Sequence, residues 1–546
     1  MTAVSRTELM AALSLATDLA MGEPVESGLA TCIVTARFGR ALGITADDAW
    51  LTFHLALLRH VGCTAGNHEI AESVGTEFGL HGALDDIDFA DQEATRSALA
   101  GHVRTRVPRE RRHLVIAGLG EAGTVLGEAT SGACEVAAML ADRFGYDPPV
   151  QNALRAYFER WDGHGIPGSL AGDSIPFTVR MVQVAEAAVQ SVDRGSDPVA
   201  SLRERAGRRL DPRLVNRFVA DADRLLANLD APSRWDAVLA LEPTPRRGLD
   251  GTTLDDALQA IGEFADLKSP YLVGHSSRVA ALAGEAGTAA GLPLPVALEV
   301  RRAGWLHDLG RVAVSSAIWG RRGALTRDDW EQVRLHPYQT DRILVRVRNL
   351  EPIRELAALH HERLNGLGYA RGLPAGLLSA GARVVAAADA YAAMIEPRPH
   401  RPALAPKAAS RELRAEVLAG RLDGRAVEAI LQVAGHRPRR RIGAVAGLTA
   451  REVEVLGLLA RGRTNREIAE TLLVTPKTVD AHVQHIYAKA AVTTRAGATF
   501  FAMDHGLVRA VPAERRAAID LAATERVAAS PDRPLQAPGS AGGQRA

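Results

Sequence analysis

Apolar residues recur along the chain at intervals of three and four, as at Val279, Leu282 and Ala283 and again at Val453, Leu456 and Leu459. That spacing lines one face of an α-helix, whereas a half-buried strand alternates with period two. Thr449 with Glu452 and Thr464 with Glu467 stand at capping-box spacing, where side chains satisfy the orphan amides of a first helical turn. The pattern predicts a mainly α protein. It breaks at Leu241 to Gly248 (LEPTPRRG), at the basic stretch His436 to Arg441 (HRPRRR), and at the end (SPDRPLQAPGSAGGQRA), which reads as disordered. The start carries Arg6, Glu8 and Asp18 among its apolar residues, so it reads as an amphipathic helix rather than a leader. No window is apolar enough to span a membrane, and a soluble protein is expected.

Length changes the picture next, because 546 residues imply several domains. Lys and Arg total 65 against 64 Asp and Glu, so any nucleic-acid surface must be a local patch. Cys32, Cys63 and Cys134 form no CxxC pair, which fits a reducing compartment and a cytoplasmic location.

The chain contains an internal repeat. Phe158 to Gly165 (FERWDGHG) parallels His361 to Gly368 (HERLNGLG), and Arg180 to Glu186 (RMVQVAE) parallels Arg383 to Asp389 (RVVAAAD), both 203 residues apart (158 to 361, 180 to 383). Upstream, LLRHVG at Leu57 parallels WLHDLG at Trp305 at an offset of 248 (57 to 305), so the first copy holds about 45 extra residues. Residues 1–245 and 246–436 are therefore expected to be two copies of one helical domain. Only the second carries a full set of polar ligands: His275, His307, Asp308, His336, His360, His361 and Asp389. The first has Ser27, Arg59, His60, Tyr157, Phe158 and Glu186 at the aligned positions and cannot build such a site. Its Glu159, Arg160, Asp162, Gly163, Gly165 and Pro167 read as fold-keeping turn residues.

Imidazoles and carboxylates suit a divalent transition metal, and adjacent His–Asp and His–His pairs can feed neighbouring metal positions, with a carboxylate bridging two ions. Two such ions polarise a phosphoryl oxygen and activate water, so no protein nucleophile is needed. The ordered segments GHSSRVAALAG, WLHDLGRVAV, LHPYQTDRIL, LHHERLNGLGY and VVAAADAYAAM resemble the HD-GYP branch of the HD phosphohydrolases over about 190 residues. The resemblance implies that His275, His307, Asp308 and Asp389 hold one metal and that His336, His360 and His361 complete a second, the ions being iron or manganese. It assigns Asp308 and Arg311 to catalysis. Tyr271 replaces the glutamate of trinuclear members, which favours two metals. Arg311 stands for the family's lysine, Thr340 for the glycine of its HPxxG motif, and Asn365 and Ala370 for the aspartate and proline of its GYP motif. Arg311 keeps the positive charge in a forked geometry.

From Leu448 the chain predicts a helix-turn-helix: a helix from Thr449 to about Arg461, a second from Asn465 to about Leu472, and a third with N-cap Thr475 and Pro476 first. Val479, Val483 and Ile486 would face the core, leaving Thr475, Lys477, Thr478, His482 and Lys489 to reach phosphates and base edges. The segment resembles LuxR/FixJ-type DNA-binding domains over about 60 residues, which implies double-stranded DNA as partner and a homodimer.

The expected architecture is two HD-GYP-like helical domains, the first degenerate, a basic linker (437–447), a four-helix LuxR-type domain (448–512) and a tail (513–546). The expected function is a cytoplasmic transcriptional regulator with a metal-dependent phosphodiesterase domain acting on cyclic di-GMP or a related nucleotide. The alternatives are a catalytically silent nucleotide-sensing transcription factor and hydrolysis of another phosphate ester.

Overall fold

The computed structural model describes residues 3–84, 87, 91–107, 109–117, 119, 122–229, 233–243, 248–435 and 445–507. Most of the basic linker, the LEPTPRRG break at 244–247 and the tail lie outside the described residues. What is described is helical, and β-pairing there is limited to isolated bridges such as Val4 with Leu249.

The repeat seen in the sequence recurs as matched helices. Arg6–Met21, Ser27–Leu42 and Ala46–Leu58 correspond to Gly251–Asp266, His275–Ala289 and Leu294–Leu306, while Pro148–Arg155 and Phe177–Asp193 correspond to Glu351–Ala358 and Ala380–Ile395. Shared polar contacts repeat at the same offsets. Asp18 accepts from the Gly28 amide and Asp266 from the Ser276 amide. Glu159 accepts from the amides of Gly168, Ser169 and Leu170, and Glu362 does the same for Arg371, Gly372 and Leu373. Both loops are thus closed by one buried carboxylate that satisfies three otherwise orphaned N–H groups.

The copies do not keep separate cores. One apolar cluster runs from Val4 and Phe53 through Phe218 and Phe264 to Val300 and Val385, and it reaches Phe500 and Met503 near the end of the described chain. The helices bury stripes against the other copy as well as their own. Polar contacts cross the same boundary: Lys268 Nζ lies 2.8 Å from Glu77, and Thr64 Oγ1 donates to the Phe264 carbonyl.

Between Gly62 and Pro148 the first copy forms Asn67–Val74, Leu80–Leu84, Gln92–Arg106, Arg109–Ala117 and the long helix Ala122–Arg143, whose second half matches His336–Leu344, with Val74, Leu99, Val103 and Val107 in a small cluster of their own. Ala122–Arg143 lies hard against the preceding turn, because a Cβ at Gly62 would fall 1.8 Å from the Ala133 carbonyl oxygen.

Among its described residues the C-terminal domain has four helices, Ala450–Leu459, Asn465–Leu472, Pro476–Ala490 and Arg495–Asp504, around Val455, Ile468, Val479, Val483 and Ile486. Thr449 and Thr464 form the expected capping boxes, and Thr475 caps the third helix. The domain rests on the body of the protein. Glu135 accepts from the amides of Thr493 and Thr494 at 2.6 and 3.0 Å, and Arg143 pairs with both Glu263 and Asp504.

Two carboxyls mark how deeply these contacts are buried. Burial pushes Asp18 up to about 7 against the pull of Arg59, and Glu263 up to about 7 against that of Arg143. Both bind protons more readily folded than unfolded. The stability they contribute is complete below about pH 4 and is lost as pH rises through about 7. The melting temperature should fall between about pH 5 and pH 8, and Asp18→Asn should flatten the fall. An identical slope in the variant would contradict the burial assigned to Asp18.

Candidate metal centre

The ligand candidates of the second copy sit mostly where helices begin and end. His275 opens His275–Ala289 behind Gly274, whose φ of 78° favours glycine. His307 closes Leu294–Leu306, His336 opens His336–Leu344, and His360 and His361 follow Glu351–Ala358. Asp389 projects from within Ala380–Ile395. Small residues let these elements meet. A Cβ at Gly304 would fall 2.5 Å from Ala280 Cα, and one at Gly310 would fall 2.0 Å from the His336 carbonyl oxygen. Thr340, in place of a glycine, ties the loop down: its hydroxyl accepts from the Gly310 amide and donates to the His307 carbonyl.

The seven side chains come together in two groups, His275, His307, Asp308 and Asp389 in one and His336, His360 and His361 in the other. Within each group the donor atoms lie within 4.8 Å of one another. Asp308 stands between the groups. Its Oδ2 is 3.3 Å from His275 Nε2 and 2.9 Å from His307 Nε2, while its Oδ1 is 3.3 Å from His336 Nε2 and 3.4 Å from His360 Nε2. Asp389 Oδ1 is 3.2 Å from His275 Nε2.

Orientation of the rings fits metal ligation. The Nδ1–H groups of His307, His336 and His360 donate to the carbonyls of Gly304, Val333 and Ala357, each three residues earlier. His275 Nδ1 lies 2.8 Å from Glu396. A carbonyl can only accept, so these bonds turn each Nε2 inward, as outer partners do for ligating histidines. His336 Nε2 and His360 Nε2 then face each other at 3.0 Å, an arrangement that a shared cation relieves. His307 Nε2 and both Asp308 oxygens are buried without a hydrogen bond. By donor chemistry and orphaned atoms, the residues fit divalent metal ions.

The groups differ in charge. Against the effect of burial, Arg311 and His307 hold the Asp308 carboxyl well below the usual carboxylate range. Burial opposes protonation of His307, but Asp308 and Asp389 raise it to about 9. In the other group burial takes His360 down to about 4 and His361 well below the usual imidazole value, leaving neutral rings suited to ligation.

Arg311 pairs with Asp308 through Nη2 at 2.8 Å and lies over the Trp319 ring. Its Nε and Nη1 are buried without partners. Three contributors escaped the sequence reading. Glu396 backs His275 and is held to about 2 by His275, Arg398 and Arg278 against burial. Arg398 also donates to the Tyr271 carbonyl, and Tyr369 stacks on His361 at 4.5 Å. Glu396 lies seven residues after Asp389, two helical turns on, and that spacing was the available signal.

The first copy answers differently at the same place. Glu186 accepts from Arg59 Nε at 2.7 Å and from the Tyr157 hydroxyl at 2.8 Å, with His60 Nε2 at 3.2 Å. Arg59 also donates to the Ala56 carbonyl, three residues back, as His307 does to that of Gly304.

On the C-terminal domain, Lys477 and Thr478 are exposed on the third helix and His482 is half-buried. The Thr475 hydroxyl is engaged in the cap. Lys489, expected on the DNA face, has its Nζ 2.9 and 2.8 Å from the two Glu452 oxygens. It serves an ion pair within the domain, because the end of the third helix packs over the first turn of Ala450–Leu459.

Gly310→Ala should strip the centre of metal while leaving helix content intact, measured by elemental analysis beside circular dichroism. Full metal occupancy in this variant would contradict the close packing described.

Comparison with known proteins agrees with this division. Residues 259–426 match the HD domain family, and residues 446–502 match the bacterial regulatory proteins of the luxR family. The chain is 27% identical over 411 residues to the 3'3'-cGAMP-specific phosphodiesterase 3 of Vibrio cholerae, covering 73% of this chain and 88% of that protein. It is 32% identical over 181 residues to a cyclic di-GMP phosphodiesterase of Thermotoga maritima, covering 33% of this chain and 48% of that protein. Its C-terminal part is 47% identical over 64 residues to the transcriptional regulatory protein MctR of Rhizobium johnstonii, covering 12% of this chain and 30% of that protein. A crystal structure of a cyclic GMP-AMP specific phosphodiesterase of V. cholerae shares the fold, with a TM-score of 0.55 and 24% identity over 80% of this chain and 99% of that one. The chain therefore joins an HD domain to a luxR-family regulatory domain.

Proposed function

We propose that the second helical copy hydrolyses a phosphodiester bond of a 3′,3′-linked cyclic dinucleotide, cyclic di-GMP or cyclic GMP-AMP, in a cytoplasmic regulator that binds DNA through its C-terminal domain. The observation that carries the reading is Asp308, whose two oxygens face separate imidazole groups while Arg311 leaves two buried N–H groups unpledged. His275, His307, Asp308 and Asp389 would hold one divalent ion, iron or manganese, and His336, His360 and His361, facing Asp308 Oδ1, a second. Such ions supply Lewis acidity and an activated water when bound. Arg311 would donate to a phosphate oxygen from Nε or Nη1 while Nη2 stays on Asp308, a division of donors that a lysine cannot make. Glu396, with Arg278 and Arg398 behind it, fixes the His275 ring. The substrates named for the relatives support the choice of cyclic dinucleotides.

The full chain supplied with manganese(II) should convert one or both cyclic dinucleotides to linear products, followed by chromatography. Asp308→Ala should lower turnover by about 100-fold or more, since it removes the carboxylate common to both groups. Metal-loaded protein that turns over neither compound would overturn the cyclic-dinucleotide reading and leave nucleotide sensing without turnover or hydrolysis of another phosphate ester.

For the C-terminal domain, a homodimer is proposed to place the helix Pro476–Ala490 in the major groove. Lys477→Ala should weaken binding to duplex DNA and reduce the salt slope by about one, with hydrolysis unchanged. Equal affinity and slope would remove Lys477 from the interface.

A further inference from the structure

The first copy lacks the seven polar side chains of the second and holds a cavity. Its walls come from the turn at Cys63, from Ile70 on Asn67–Val74, from Leu126, Ala129 and Ala133 on Ala122–Arg143, and from Phe158. Phe158 is the counterpart of His361, so the cavity lies beside the position where the second copy keeps its imidazoles. Ala122–Arg143 carries the counterpart of His336–Leu344, since Gly62 meets Ala133 and Ala137 as Gly310 meets His336 and Thr340, so Ala133 stands where the second copy has His336. The volume is about 120 Å³, close to the roughly 150 Å³ of apolar cavities that stay dry and accept benzene.

Two features argue that this volume is kept for an occupant. Protein interiors are packed to crystal density and an unfilled void is destabilising, yet alanines line the wall at 65, 129 and 133, where a larger side chain would fill it. The polar groups at the rim are already committed within the protein. Glu77 accepts from Lys268, from the Ser316 amide at 2.7 Å and from the Ser315 hydroxyl at 2.9 Å. Glu159 holds the amides of 168–170, Gln183 donates to the carbonyls of Tyr157 and Glu159, and Arg160 pairs with Asp162. A charged ligand would have to displace one of these bonds, whereas an uncharged one need not. Burial also pushes the Cys63 thiol well up, as expected of a dry wall.

We propose that this cavity is a binding site for one small, uncharged, largely apolar molecule about the size of a single aromatic ring. Through Glu77 its rim touches Ser315 and Ser316, which directly follow the loop carrying Asp308 and Arg311.

Fluorobenzene is the probe, titrated against the full chain and followed by fluorine NMR. A single saturable site is expected, with competition by benzene and none by benzoate at equal concentration. Ala129→Leu and Ala133→Leu, made separately, should each weaken binding at least tenfold while circular dichroism and metal content stay as in the parent. Two variants guard against one that misfolds. No saturable binding to the parent protein would overturn the proposal, as would undiminished affinity in both folded variants. Competition by benzoate equal to that of benzene would overturn the uncharged class.

Discussion

A carboxylate at the centre of a helical core is tolerable only when positive charge or hydrogen-bond donors surround it, and Asp308 is completely buried. Much of the second copy is arranged around that requirement. Four helix ends deliver imidazoles to its two oxygens, and Arg311 adds a fixed positive charge at 2.8 Å. Gly304 and Gly310 remove the side chains that would hold those ends apart. Thr340, a departure from the family pattern, bonds the loop on both sides and so takes part in the site's support.

The first copy meets a similar requirement at Glu186 with an arginine, a tyrosine and a histidine. Arg59 brings permanent positive charge on the backbone position that presents His307 in the second copy, and Tyr157 donates the second bond. The backbone frame is retained, as the parallel Glu159 and Glu362 loops show, while the chemistry diverges. One scaffold thus yields a polar centre in one copy and an apolar cavity beside an internal ion pair in the other. The shared core and the Lys268–Glu77 pair keep the two in direct mechanical contact.

The C-terminal domain illustrates how far local signals reach. Its N-caps, its Pro476 start and the core positions Val479, Val483 and Ile486 followed from neighbouring residues, because caps and helical periodicity operate within a few positions. Lys489 did not follow. A lysine at the end of an exposed helix reads as free until Glu452, 37 residues earlier, is placed beside it. The same limit applies to Glu135, whose carboxylate meets Thr493 and Thr494 from the far end of the chain.

Sequence alone determined the helical character, the repeat with its offsets and which residue types stand at the matched polar positions of the two copies. These depend on residue type, order and short-range spacing. Tertiary structure decided that Asp308 faces both ligand groups, that Glu396 stands behind His275, that Arg311 keeps two N–H groups unpledged, and that the two copies share one core. Glu396 meets His275 across 121 residues of chain, and only the packed helices bring their atoms to 2.8 Å. The cavity was the least legible feature, because it is the space left by side chains from several separate segments, and no single residue carries its signature.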